Sequence, residues 1–181
     1  MDTFVALLRG INVGGRNKLP MADLRAVVTG LGYGDVATYV QSGNVVCTGD
    51  GDAPTLAVRL AAALADRRGL TVPVVARTAG QWQAMVRANP LAAREDDPKL
   101  LHVAVLSGVP DPDRVAALEA EAARFAPERV VVLGADAYLH CPGGYADTPL
   151  QNAFLERRLD RTATTRNWRT VTTLAGMLGT V

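Results

Sequence analysis

Cysteine is scarce in this chain: Cys47 and Cys141 are the only two among 181 residues. No basic stretch followed by an apolar run and a small-residue cleavage site opens it, so a secreted, disulfide-stapled scaffold is not expected. The composition predicts a cytoplasmic protein with two unpaired thiols. The longest apolar runs, Thr3 to Leu8 and Val130 to Leu133, have the length of strands and fall far short of a bilayer span. No membrane partner is predicted. Charge of one sign is also lacking, since 19 basic and 18 acidic residues leave a formal net charge of +1. No global field draws the protein to nucleic acid or anionic lipid, and any anion site must be local. Aromatic residues make up only 5% of the chain, too few for the basic-aromatic pattern of an RNA-recognition strand. Histidine occurs twice, at 102 and 140, both inside predicted strands. With the cysteines at strand ends, core packing explains these four residues better than metal binding or nucleophilic catalysis, and no metal site is predicted.

Aliphatic residues dominate what is present. Hydrophobic residues make up 49% and charged residues 20%, an ordinary globular balance that predicts a fully folded chain. Phe4 to Leu8 reads as a strand, and Met21, Leu24, Val28 and Leu31 then recur at helical spacing after Pro20. Val36 to Val40 and Asn44 to Cys47 flank the turn dipeptide Ser42-Gly43 and predict a hairpin. Asp52 caps a helix bearing Leu56, Leu60, Ala63 and Leu64, and Gly69 ends it. A short strand over Val72 to Arg77 and a helix with Trp82 and Met85 complete the half. The polar stretch Arg94 to Pro98 is the best boundary, which divides the chain into 1–94 and 95–181.

Beyond it the order repeats. His102-Val-Ala-Val-Leu-Ser-Gly108 matches Phe4-Val-Ala-Leu-Leu-Arg-Gly10 in type at nearly every position. A helix over Asp113 to Arg124, strands Arg129 to Leu133 and Ala137 to Cys141, and a helix near Leu150 to Leu159 follow. The expected class is α+β: two ferredoxin-like, βαββα-type subdomains with antiparallel sheets, the first with one strand more.

The repeat acts as an internal control, because a feature the fold requires appears in both halves. One loop appears once. Arg9-Gly10-Ile11-Asn12-Val13-Gly14-Gly15-Arg16-Asn17-Lys18 links strand to helix in the first half, where the second has only Ser107-Gly-Val-Pro-Asp111. Its glycines permit positive φ and its Arg9, Arg16 and Lys18 can neutralise an anion beside a helix start. The spacing of Gly10 and Gly15 is that of a P-loop, but Arg16 and Asn17 stand where that motif needs Lys and a hydroxyl, so a Walker ATPase is rejected. Gln41, Ser42 and Asn44 supply amide and hydroxyl groups, with turn chemistry the simpler reason for Gly43. Thr164 to Thr170 is expected to start a final helix whose stripe is Trp168, Val171, Leu174 and Leu178. Arg166 and Arg169 in its first turn would oppose the helix dipole unless an anion, or an acid such as Glu156 or Asp160, compensates.

Together Arg-Gly-Ile-Asn-Val-Gly-Gly from Arg9, Pro20-Met21 with Leu24, Thr38-Tyr39, Gln41 to Val45, and Thr165-Arg166-Asn167-Trp168 with Thr170-Val171 resemble the DUF1697 family of unknown function. The resemblance spans almost the whole chain and implies two ferredoxin-like subdomains. It brings no activity, substrate or cofactor. Pro149 and Arg169 depart from the pattern, which has Lys and usually Asn there.

The functional expectation is therefore a small anionic or phosphate-bearing ligand held between the 9–18 loop and the 164–169 helix start, by Arg9, Gly10, Asn12, Gly14, Gly15, Arg16 and Lys18 with Gln41, Ser42, Asn44, Arg166 and Asn167. The alternatives are an enzyme acting on such a ligand, using Ser42 or Tyr39, and an RNA-binding protein using open sheet faces. Cofactor, catalytic residues and oligomeric state are not legible.

Overall fold

The computed structural model describes residues 1–95 and 97–179. Asp96, in the predicted boundary, lies outside the described residues. The first half runs β1 (Asp2–Leu8), α1 (Met21–Gly30), β2 (Gly34–Tyr39), β3 (Asn44–Gly49), α2 (Ala53–Arg68), β4 (Val74–Thr78) and α3 (Ala79–Arg87). The second runs β5 (Leu101–Leu106), α4 (Pro112–Ala122), β6 (Arg129–Leu133), β7 (Asp136–His140), α5 (Asn152–Leu159), β8 (Ala163–Asn167) and α6 (Trp168–Met177). Each half builds a four-stranded antiparallel sheet, of order β2-β3-β1-β4 and β6-β7-β5-β8. The α+β class read from the sequence holds.

One expected element changes. Residues 163–167 form β8 along β5, pairing Ala163 with Leu106 and Asn167 with His102, where the sequence suggested the start of a helix. Thr164 and Thr165 are β-branched and suit a pleated surface, and the helix begins only at Trp168. The second half thus has the same βαββαβα order as the first.

Local signals explain the helix limits. Asp52 accepts from the Thr55 amide at 2.7 Å, and Gly69 at φ 63° closes α2. Asp111 caps α4 through the Asp113 amide. At α3, Thr78 Oγ1 accepts from the Gln81 amide while Gln81 Oε1 accepts from the Thr78 amide, a reciprocal capping box.

Compactness divides the chain within α3 and within α6: one unit comprises Met1–Ala84 and the chain from Leu174 onward, the other Met85–Thr173. In the first unit Phe4, Ala6 and Leu8 of β1 and Val45 and Cys47 of β3 pack against Leu24 and Val28 of α1 and Leu56, Leu60 and Leu64 of α2. In the second, Ala104 and Leu106 of β5 and Ala137 and Leu139 of β7 pack with Leu118 of α4 and Leu155 and Leu159 of α5. Each fully buried aliphatic chain contributes about 1.5–3 kcal/mol. The residues between them in the strand, Val5 and Leu7 in β1 and Val103 and Val105 in β5, are buried too. Both faces of each central strand are therefore covered, which accounts for runs that are apolar throughout rather than alternating.

Cys47 and Cys141 are free and buried. Burial pushes their thiols up to about 11 and about 12, so neither is a ready nucleophile. Among the described residues, no helix is long and apolar enough to cross a membrane.

Candidate functional site

The loop from Arg9 to Lys18 is a closed miniature hairpin. The Asn12 amide donates to Asn17 O at 3.1 Å and the Arg16 amide to Val13 O at 3.0 Å, with Val13 and Arg16 bridged antiparallel. Gly14 and Gly15, at φ 57° and 75°, occupy the two central positions of such a turn, where positive φ is required. Two asparagines hold the hairpin in place. Asn12 Nδ2 donates to Leu19 O at 2.9 Å and Gln41 O at 2.8 Å, while its Oδ1 accepts from the Leu19 amide at 2.9 Å. Asn17 Nδ2 donates to Gly10 O at 3.0 Å. The Asn12 side chain is committed to the loop's own architecture, at φ 53°, a conformation Asn tolerates better than most residues.

The same bonds carry the hairpin onto the β2–β3 turn. Asn44, fully buried, donates to Tyr39 O and to Ser42 Oγ, both at 2.9 Å. Gly43 sits at φ 76°, and a Cβ there would come within 2.7 Å of Ile11 Cδ1 and Leu8 Cβ. Val40, half exposed, has φ 50°, a conformation costly for a β-branched residue. Nothing in the sequence flagged this valine. Arg9, Gly10, Asn12, Gly14, Gly15, Arg16 and Lys18 thus share one end of the first unit with Gln41, Ser42 and Asn44.

Arg16 and Lys18 are exposed, and no ion pair involves either among the described residues. Pro20, the residue before α1, provides no side-chain cap for the first helical amides, so positive potential collects where Lys18 leads into the helix. Asp23 in that first turn is paired with Arg68 at 3.1 Å.

Arg166 and Asn167 belong to the second unit. Asn167 Oδ1 accepts from the Thr170 amide at 2.8 Å and so caps α6. Arg166 is a strand residue, which removes the helix-dipole argument from it; that argument applies only to Arg169, exposed in the first turn of α6. The half-buried Arg166 donates from Nη1 to Thr165 O at 2.9 Å. Burial lowers its pKa to about 10, opposed by the electrostatic influence of Tyr145. Its register partner is Val103. In the first unit Arg77 faces Val5 and donates from Nη1 to Ala76 O at 3.0 Å.

Elsewhere in the second unit His102, buried, stacks on Tyr145 with ring centroids 4.7 Å apart, and burial lowers its pKa. Thr148 Oγ1 donates to Glu128 at 3.0 Å, beside the Cys141 thiol. His140 Nε2 meets Glu95 Oε2 at 2.7 Å. No group of three or more His, Cys, Asp or Glu among the described residues is arranged to hold a metal ion.

Residues 1–138 match the family model described as Protein of unknown function (DUF1697). The chain belongs to this family. A solved structure entitled "The structure of conserved bacterial protein SP0830 from Streptococcus pneumoniae" is similar along 98% of both chains, with 26% identity and a TM-score of 0.77. No protein of curated function matches the chain. The matched DUF1697 segment contains the whole β1–α1 hairpin and the β2–β3 turn, whereas Arg166 and Asn167 lie beyond it.

Proposed function

We propose that the protein binds a small anionic or phosphate-bearing ligand at the β1–α1 hairpin of its first unit. One observation carries this reading: a loop that the second unit lacks is fixed by Asn12 and Asn17, and it presents the exposed Arg16 and Lys18 beside a helix start with no side-chain cap. Pre-organisation matters energetically, since a loop already ordered spares the ligand the entropic cost of ordering it. Each charge-assisted hydrogen bond to the ligand then contributes about 1.5–3 kcal/mol.

The enzymatic alternative uses the hydroxyls of Ser42 and Tyr39 at the adjoining turn, with Ser42 Oγ held by Asn44. Binding asks only for the exposed cations of an ordered loop and is the reading these residues support best. RNA binding on the sheets is supported less well, because Val5 and Leu7 of β1 and Val103 and Val105 of β5 are buried.

The test is a thermal-shift screen with inorganic phosphate, a nucleoside diphosphate, a sugar phosphate and citrate. A concentration-dependent rise in melting temperature that disappears in the Arg16→Ala/Lys18→Ala variant supports the site. A rise that survives in that variant, or none with any compound, defeats it.

A further inference from the structure

The repeat also exposes an unfilled place in the second unit. Hydrogen bonds fix the correspondence: the Leu8 amide donates to Gly43 O at 2.8 Å as the Leu106 amide does to Ala135 O at 2.9 Å, and Arg9 N to Pro73 O matches Ser107 N to Thr162 O. Ile11 therefore corresponds to Val109. Ile11 is 1% exposed, tucked against Gly43 beneath the hairpin, and Leu19 at the other end of that hairpin is equally buried. Val109 is 65% exposed. The loop from Ser107 to Asp111 is too short to fold back, and the space it leaves is a groove of about 300 Å³ lined by Val109, Pro112, Val115, Ala116, Val132 and Glu119. Leu133, 43% exposed in the β6–β7 hairpin, extends the apolar surface.

The charge in the groove's lining comes from Glu119, with Arg161 at its edge donating from Nε to Val109 O at 3.2 Å. Glu119 lies within its lining and spends Oε1 on the Val132 amide at 3.0 Å, and Asp111 and Asp113 stand exposed where α4 begins. We propose that this groove docks an extended segment of a partner protein that offers a branched aliphatic side chain next to a lysine or arginine. The aliphatic chain takes the role that Ile11 fills in the first unit. The cation meets the remaining carboxylate oxygens of Glu119 and of the acids at the α4 start, which a wholly apolar segment would strip of water without a new partner. Because Glu119 already occupies the Val132 amide, the partner docks through side chains and does not extend the sheet at β6.

The test titrates the isotopically labelled full chain with the synthetic peptide Gly-Ser-Ile-Lys-Ser-Gly and follows backbone amide signals. Saturable shifts confined to Val109, Val115, Ala116, Glu119, Val132 and Gly134 are expected. Changing the peptide's Ile to Ala should weaken binding about tenfold, the effect of losing one buried aliphatic side chain. Changing its Lys to Glu should abolish binding. On the protein, Ala116→Arg, an exposed helical position, should fill the groove and remove the shifts, and Glu119→Gln should weaken binding while still accepting from Val132. No saturable shifts at millimolar peptide, shifts elsewhere, equal binding of all three peptides, or unchanged binding to the Ala116→Arg protein would each overturn the proposal.

Discussion

Arg77 and Arg166 occupy one and the same position in the two sheets. Each lies on the edge strand that follows the second helix of its half, each faces the central valine of the first strand, Val5 or Val103, and each returns Nη1 to the carbonyl of the residue before it. A feature present in both halves belongs to the fold by the same reasoning that set the β1–α1 hairpin apart. Replacing either arginine by Ala should therefore lower stability by a similar amount, about 1–3 kcal/mol in urea unfolding, from lost hydrogen bonding and packing. Neither change should alter the response to inorganic phosphate. A selective loss of phosphate response in Arg166→Ala would return Arg166 to the ligand site.

The repeat is legible in the sequence at β1 and β5, because two apolar heptapeptides ending in glycine resemble one another residue by residue. The correspondence is hidden at β4 and β8, where Val-Val-Ala-Arg-Thr and Ala-Thr-Thr-Arg-Asn have only the arginine in common. Because β8 runs directly into the apolar stripe that begins at Trp168, its residues read as the opening turn of that helix. The long loop stands out from the sequence, but the bonds its residues make do not. Asn12 and Gln41 are 29 positions apart, and a bond from one side chain to the other's carbonyl is invisible until the chain is folded. Val40 gives no signal because valine is a strand former, and only the structure reveals its positive φ.

His102 stands where the first half has Phe4: Phe4 faces Cys47 and Thr78, and His102 faces Leu139 and Asn167. Burial lowers its pKa below the ordinary 6.5, so below pH 6.5 the unfolded chain takes up a proton that the folded chain resists. Stability from this residue is fully present above that pH and is lost as pH falls from 6.5 toward the folded value. His102→Phe should remove this contribution. Urea midpoints measured from about pH 7.5 to 5 should fall more steeply for the wild type than for the variant; parallel profiles would mean His102 is not the titrating group.

Gly43 is constrained twice, by φ 76° and by Ile11 and Leu8 lying 2.7 Å from where a Cβ would stand. Gly134, in the corresponding hairpin, has φ 59° and nothing within 4 Å. Gly43→Ala should cost about 2–4 kcal/mol, combining left-handed strain with overpacking, and Gly134→Ala only about 1–2 kcal/mol from strain alone. Chemical denaturation of the two variants checks the difference. Equal losses would show that the close approach of Ile11 to Gly43 is relieved cheaply.

Asn12 separates the charge of the hairpin from its shape. Its side chain ties the hairpin to Leu19 and Gln41 by three hydrogen bonds, yet it carries no net charge. Glycine tolerates the φ of 53° found there, so Asn12→Gly removes the ties without imposing backbone strain. If the ligand is held by a pre-ordered loop, this variant should bind inorganic phosphate about tenfold more weakly although Arg16 and Lys18 are intact, because the entropy of ordering the hairpin must then be met on binding. If only local positive charge matters, affinity should stay within about twofold and its salt dependence should be unchanged. Stability should fall in either case, by about 1–3 kcal/mol for the lost bonds. Titration calorimetry at two salt concentrations, run beside Arg16→Ala, distinguishes the cases: charge removal flattens the salt dependence, whereas loss of the Asn12 ties lowers affinity equally at both.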